Sequence, residues 1–254
     1  MRWLFIMLFT LVCASAQAEE VVLGLSQDRV QITATFDGDE ILIFGAVKRE
    51  TPIPEGDPLQ VIITVAGPSE SLTVYRKARR FGIWVNTDTV EVDRAPSFYA
   101  VATSARWDLV ISDTEDLRHQ ISIPRAIRSV GAPMTISDAQ SFTEAVIRIR
   151  SMSDLYQLRE GTVQLDQQTL FRTALKMPAN LTEGDYATRI FLTRGGRVVA
   201  QYDTVINVDK VGLERWLYDL SRHQPLTYGI LSLAIAIFAG WSASAVFNVL
   251  RQGG

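Results

Sequence analysis

The amino-acid sequence predicts a mainly β fold tied to a membrane by one C-terminal helix. Three observations predict it. From Val21 to Val208, short runs rich in β-branched residues alternate with turn residues, the pattern of half-buried strands. Pro225 to Leu250 contains no charged residue, and Arg251 closes it. The chain opens with Arg2, an apolar run from Trp3 to Val12 and the small residues of Ala16-Gln17-Ala18, which is the layout of a secretory signal.

Residues 1–18 are read as a signal peptide cleaved after Ala18. The alternatives are an uncleaved anchor or a lipoprotein signal with Cys13 lipidated. Such a site wants a small residue before the cysteine, and Val12 is not small. Cys13 is the only cysteine. Its removal leaves no thiol, which excludes disulfides, thiolate metal sites and cysteine nucleophiles. A thiol-free exported body is held by its core, and export argues against a nucleic-acid partner.

The first strands lie at Arg29 to Thr35 and Glu40 to Val47, with Asp37-Gly38-Asp39 as the hairpin turn. After a loop with Pro52, Pro54, Gly56 and Pro58 comes Leu59 to Ala66, then a turn at Gly67-Pro68. Further strands are expected at Ser71 to Arg76, Ile83 to Asn86, Val90 to Val92 and Phe98 to Thr103. The period changes between Ser137 and Gly161. Ser137-Asp138 supplies a cap, and Phe142, Ala145, Val146 and Ile149 recur at helical spacing, so a helix is expected to end between Tyr156 and Glu160. Strands resume at Thr162 to Leu165, Leu170 to Lys176, Tyr186 to Thr193 and Arg197 to Val208, the last two joined by Arg194-Gly195-Gly196.

Glu183-Gly184-Asp185-Tyr186 matches the acidic-x-Gly-x-Tyr corner of immunoglobulin-like sandwiches, where the tyrosine bonds back to the corner loop. The region is therefore read as two immunoglobulin-like β-sandwich domains, residues 19–123 and 124–210, divided between Pro124 and Pro133, with the helix leading into the second. A single continuous sandwich is the alternative.

Residues 211–223 form a juxtamembrane amphipathic helix, with Leu213, Trp216, Leu217 and Leu220 on one side and Glu214, Arg215, Asp219 and Arg222 elsewhere. Trp216 is its interface anchor; a core helix is the alternative. Residues 224–250 are read as the transmembrane helix, since a hydrocarbon core of about 30 Å needs roughly 20 apolar residues. The signal peptide sends the body outward. This expects a single-pass inner (plasma) membrane protein with soluble domains in the periplasm and residues 251–254 in the cytoplasm. The cations Lys210, Arg215 and Arg222 before the span, against Arg251 after it, point the other way; for a long exported domain the signal outweighs them. Ser232, Ala236, Gly240, Ser244 and Asn248 lie four apart and make a candidate helix-packing face for a second copy or a polytopic membrane protein. Apolar anchors also carry such rows by chance.

No His-Glu-x-x-His, Gly-x-Ser-x-Gly, phosphate loop or dinucleotide fingerprint is present, and there are 2 histidines, His119 and His223. No catalytic, metal or cofactor-binding residue is assigned, and no cofactor is expected. Asp37, Asp39 and Glu40, and likewise Asp113, Glu115 and Asp116, are read as solvated acids rather than calcium ligands. His119 is read as a surface or half-buried residue. In a chain of net charge −3, Arg76, Lys77, Arg79 and Arg80 form the strongest charge cluster. With Trp84 and Asn86 they make a candidate patch for an anion or a partner. The alternative is a solvated loop, with Trp84 as a core or sheet-face aromatic.

The run from Arg76-Lys77 through Gly82-Ile83-Trp84-Val85-Asn86 to Ser97-Phe98-Tyr99-Ala100 resembles an uncharacterised alphaproteobacterial family of exported proteins with one C-terminal transmembrane helix. Phe44-Gly45, Leu155-Tyr156, Phe171-Arg172, Gly184 with Tyr186, Tyr228-Gly229 and Gly240-Trp241 extend the resemblance over nearly the whole mature chain. It implies genes beside permeases similar to sulfite or sulfonate exporters, and so a transport-accessory role. The expectation is a non-enzymatic accessory subunit of a transport complex. The alternatives are a periplasmic anion- or ligand-binding sensor and, last for want of a nucleophile or metal motif, a hydrolase.

Overall fold

Alternating burial along the strands builds the body of the protein. The computed structural model describes residues 20–25, 29–32, 38–49, 56–129, 138–210 and 213–252. The expected signal peptide, Cys13 and Asp37 lie outside the described residues. The strands are β1 (Glu20–Leu25), β2 (Arg29–Ile32), β3 (Asp39–Lys48), β4 (Leu59–Ala66), β5 (Ser69–Arg80), β6 (Ile83–Pro96) and β7 (Tyr99–Thr103). Helices α1 (Trp107–Val110), α2 (Asp113–His119), α3 (Ile123–Ala126) and α4 (Ala139–Met152) follow. Then come β8 (Tyr156–Arg159), β9 (Gln164–Asp166), β10 (Leu170–Met177), β11 (Gly184–Arg194) and β12 (Arg197–Lys210). Helices α5 (Leu213–His223) and α6 (Pro225–Gln252) close the order. The fold is mainly β with one long apolar C-terminal helix.

One sheet has the order β1-β3-β10-β9 and a second the order β2-β12-β11-β4-β7-β8, while β5 and β6 form a two-stranded hairpin. Ile43 stands opposite Thr173 in the first sheet and Ile63 opposite Ile190 in the second. Strands from before and after the expected division thus share both sheets, and 37–208 falls in one unit. The reading of two domains split between Pro124 and Pro133 is corrected by this pairing. Turn residues delimit strands locally, whereas partner choice is set by which faces must be buried.

Strand β4 shows why the halves interleave. It is buried on both faces, and a strand with no polar face needs covering layers on either side. On one face Ile62, Tyr99, Val101 and Phe191 pack with Val110, Ile111, Ile121, Val146 and Tyr156, which come from the helices, the turns that follow them and β8, and with Val92 of the hairpin. Val61, Ile63, Val65, Ile190 and Leu192 alternate onto the other face and are equally buried. Strand β10 lies against β7 there, and the first sheet turns Ile41, Ile43, Phe171, Leu175 and Met177 inward. Within that sheet Gly45 sits opposite Phe171, whose ring fills the space a side chain at 45 would take.

The expected helix stops early. Helix α4 ends at Met152, and Asp154 adopts φ +56, which terminates it. Tyr156 to Arg159, read as its last turn, instead runs parallel to β7 as β8. The small helices α1 to α3 were not expected. Ser112 caps α2 by accepting from the Glu115 amide, a Ser-x-x-Glu signature short enough to be overlooked.

Helices α5 and α6 belong to a second unit. The Gln224 amide donates to Leu220 O at 3.0 Å and the Tyr228 amide to Gln224 O at 3.0 Å, so only a short break separates the two helices. Pro225 opens α6 where its missing N–H costs nothing.

Candidate functional site

The hairpin of β5 and β6 is fixed at its base. Leu72 faces Val92, Val74 faces Val90, and this side packs on the core around Val146. Arg76 comes next on the same side. Its guanidinium donates to Asp138 Oδ2 at 2.6 Å and to Ser141 Oγ at 2.7 Å, stands 3.5 Å from Asp88 and lies 4.5 Å over the Phe142 ring. The hydrogen bond from Arg76 holds the Asp138 carboxyl below its ordinary value. Asp138, expected to cap α4, makes no side-chain cap bond. Arg76 is therefore a cross-link between hairpin and helix, set apart from the rest of the basic cluster.

Beyond Arg76 the register shifts and Thr87 has no opposite residue. Such a bulge twists the ribbon. Lys77 then faces Asn86, Ala78 faces Val85, Arg79 faces Trp84 and Arg80 faces Ile83. Phe81 at φ +49 and Gly82 at φ +85 make the two-residue turn. Positive φ at both positions is the type I′ pattern, which favours Asn-Gly. A phenylalanine there costs on the order of 1 kcal/mol.

This stretch is exposed. Phe81 is fully open to solvent, Trp84 is 69% exposed and Ile83 65%. Trp84 is thus not a core residue but stands exposed on one face of the ribbon, and the basic run is a strand end rather than a loop. Alternation places Lys77, Arg79, Trp84 and Asn86 on one face of the ribbon and Ala78, Arg80, Ile83 and Val85 on the other. No carboxylate occurs between Lys77 and Asn86. The tip is therefore a cationic collar beneath an aromatic and aliphatic apex.

The acidic candidates go elsewhere. Asp39 and Glu40 open β3 opposite Met177 and Lys176. Glu115 and Asp116 are buried, against the expectation of solvated acids. Glu115 Oε2 accepts from the Val198 amide at 3.2 Å, and the other oxygen pairs with Arg118. Asp116 Oδ1 accepts from the amides of Ile121 at 3.1 Å and Ser122 at 2.7 Å. The same turn is gripped from β11 and β7. Arg189 donates to the carbonyls of His119 at 2.8 Å and Gln120 at 3.0 Å, and the Tyr99 phenol donates to Ile121 O at 2.7 Å. Burial pushes the Tyr99 phenol up. These acids hold a turn together rather than converge on a ligand. His119 is half-buried and stacks edge-on against Phe191 at 5.6 Å. Among the described residues, no group of three or more His, Cys, Asp or Glu is placed to hold a metal.

The other candidate surface is on α5 and α6. Trp216 and Tyr218 of α5 are exposed, and Arg222 lies 5.9 Å over the Tyr218 ring. In α6, Pro225–Ser244 is long and apolar enough to cross a membrane, and none of it is buried. Ser232 spends its hydroxyl inside the helix, donating to Tyr228 O at 2.9 Å. A side chain added at Gly240 would meet no neighbour within 4 Å, so the row of Ser232, Ala236, Gly240 and Ser244 has open space in front of its glycine. The Asn248 side chain lies outside the described residues. The row and the basic cluster are visible in the sequence as candidates; the exposure of Phe81 and Ile83 beside the cluster is visible only in the structure, its local signal being a phenylalanine in the glycine turn of a hairpin.

A family model described as "Putative transmembrane protein (Alph_Pro_TM)" matches residues 20–249, from β1 into α6. No curated protein matches the chain.

Proposed function

We propose, from the premise that the chain belongs to this Alph_Pro_TM transmembrane protein family, that it is a non-enzymatic accessory subunit of an inner-membrane transport complex. The observation that supports it is α6, in which none of the apolar stretch Pro225–Ser244 is buried and the row of small side chains has open space in front of Gly240. Such rows let a second helix approach closely, since backbones pack where side chains are absent. In this reading α6 spans the membrane and docks on a polytopic permease, one similar to sulfite or sulfonate exporters. The β body stands in the periplasm, and the short C-terminal tail lies in the cytoplasm. Anchoring converts weak contacts of the body into stable ones by raising its local concentration to roughly millimolar.

The test is purification of the tagged full chain from its native membrane in mild detergent. A permease is expected at equal stoichiometry, and Ala236→Leu with Gly240→Leu is expected to lose it while the β body stays folded. Recovery of the chain alone would refute the accessory role and favour a self-contained ligand-binding protein.

A further inference from the structure

We infer that the tip of the β5–β6 hairpin is an interfacial wedge that enters the headgroup layer of an anionic phospholipid leaflet. The residues are Phe81 at the apex, Ile83 and Trp84 beside it, and Lys77, Arg79 and Arg80 as the collar.

Phe81 is fully exposed and occupies a left-handed turn position that disfavours bulky side chains. It makes no packing contribution to the body that would offset the strain. An apolar environment at the apex supplies what the folded body does not.

Trp84 and Arg79 are on one face of the ribbon, Ile83 and Arg80 on the other, and Phe81 at the end. A flat protein surface touches one face of a ribbon lying on it and leaves the other wet. A bilayer surrounds the tip, so the apolar and cationic groups belong on every side. Aromatic rings settle at the headgroup level, and Lys and Arg remain with lipid phosphates.

The ten residues from Lys77 to Asn86 hold three cations and no carboxylate, in a chain of net charge −3. From Arg76 to Phe81 the strand extends about 16 Å at the usual rise per residue. That length exceeds the roughly 5–10 Å burial of interfacial segments. The inference rests on the anchor reading, because an anchored chain keeps its body beside a leaflet.

The test uses the full chain in vesicles, with Cys13→Ser and a nitroxide on Phe81→Cys, and a nitroxide on Thr73→Cys, in the strand body, as control. The vesicles are phosphatidylcholine alone or with about 30 mol % phosphatidylglycerol. With the anionic lipid, the label at 81 is expected to become shielded from a water-soluble nickel complex and open to oxygen, while the label at 73 does not. Three cations near an anionic surface predict a preference on the order of a hundredfold. Replacing Lys77, Arg79 and Arg80 by Glu is expected to abolish the shielding with the chain still floating with the vesicles. A label at 81 equally open to nickel in both lipids, on a chain that floats, overturns the inference and leaves the anchor standing. Shielding found only in native membranes overturns it in favour of a protein partner. A chain that floats with neither vesicle overturns both.

Discussion

Tyr186 and Thr182 are joined across the corner that starts β11, the phenol donating to the Thr182 carbonyl at 2.7 Å. Tyr186 is fully buried, its ring 6.0 Å from that of Phe98, and Gly184 between the partners takes φ +140. The bond closes a turn around a glycine and pins the strand to its loop. Tyr186→Phe keeps the ring and strands the carbonyl, so a loss of about 1–2 kcal/mol is expected. Urea denaturation of the full chain in mild detergent measures it.

The same phenol gives a pH dependence. Burial raises its pKa from 10.0 to about 12. The folded state therefore holds this proton more tightly than the unfolded chain does. Its contribution is complete below pH 10.0, the unfolded value, and is lost as pH rises through about 12. Tyr186→Phe is expected to remove one step from the alkaline absorbance titration and to flatten the fall in stability over that window. An unchanged profile would contradict this.

Arg76 and Arg80 are four residues apart and differ in role. Arg76 ties the hairpin to α4 through Asp138, Ser141 and Phe142, whereas Arg80 stands at the tip beside the turn. Arg76→Ala is expected to lower the melting temperature and to loosen residues 138–142 in hydrogen exchange; Arg80→Ala is expected to do neither. The Asp138 carboxyl is held low by Arg76. Its share of stability is present above the ordinary carboxylate value and is lost as pH falls through the lowered one. The gap between the two variants is thus expected to shrink in strong acid.

Two glycines in the first sheet are both covered by phenylalanines, with different freedom to yield. A Cβ built at Gly45 would come within 2.4 Å of the Phe171 ring and 2.9 Å of Val22 O. Phe171 is 1% exposed and cannot move aside. At Gly24 the obstacle is Phe44, also 2.4 Å away but 42% exposed and able to swing outward. Gly45→Ala is expected to cost roughly 1–3 kcal/mol, and Gly24→Ala less than about 0.5 kcal/mol. Equal costs in parallel denaturation curves would contradict the packing described.

Features written in local sequence were legible. The Tyr186 corner, the hairpin joined by Gly195 and Gly196, and the charge-free run of α6 each depend on neighbours a few residues apart. What failed were matters decided at long range. Nothing near Leu59 says that β4 pairs with β11, and nothing near Ser153 says that Tyr156 must leave the helix to lie beside Tyr99. Glu115 and Asp116 read as solvated because their partners, Val198 and the 121–122 amides, are contributed by the folded turn and by a distant strand. Nothing in the local pattern at Trp84 separates an exposed strand aromatic from a buried one; it is exposed because its hairpin extends past the helix that would have covered it.

The most direct test of the accessory role is site-specific photocrosslinking from α6 in native membranes. A photoreactive side chain at Ala236 or Gly240 is expected to give one adduct of fixed mass with a single integral membrane protein. The same group at Phe238, on the opposite side of the helix, is expected to give none. Equal adducts from both sides, or no protein adduct from either, would contradict the claim that this row of small residues docks α6 on a partner.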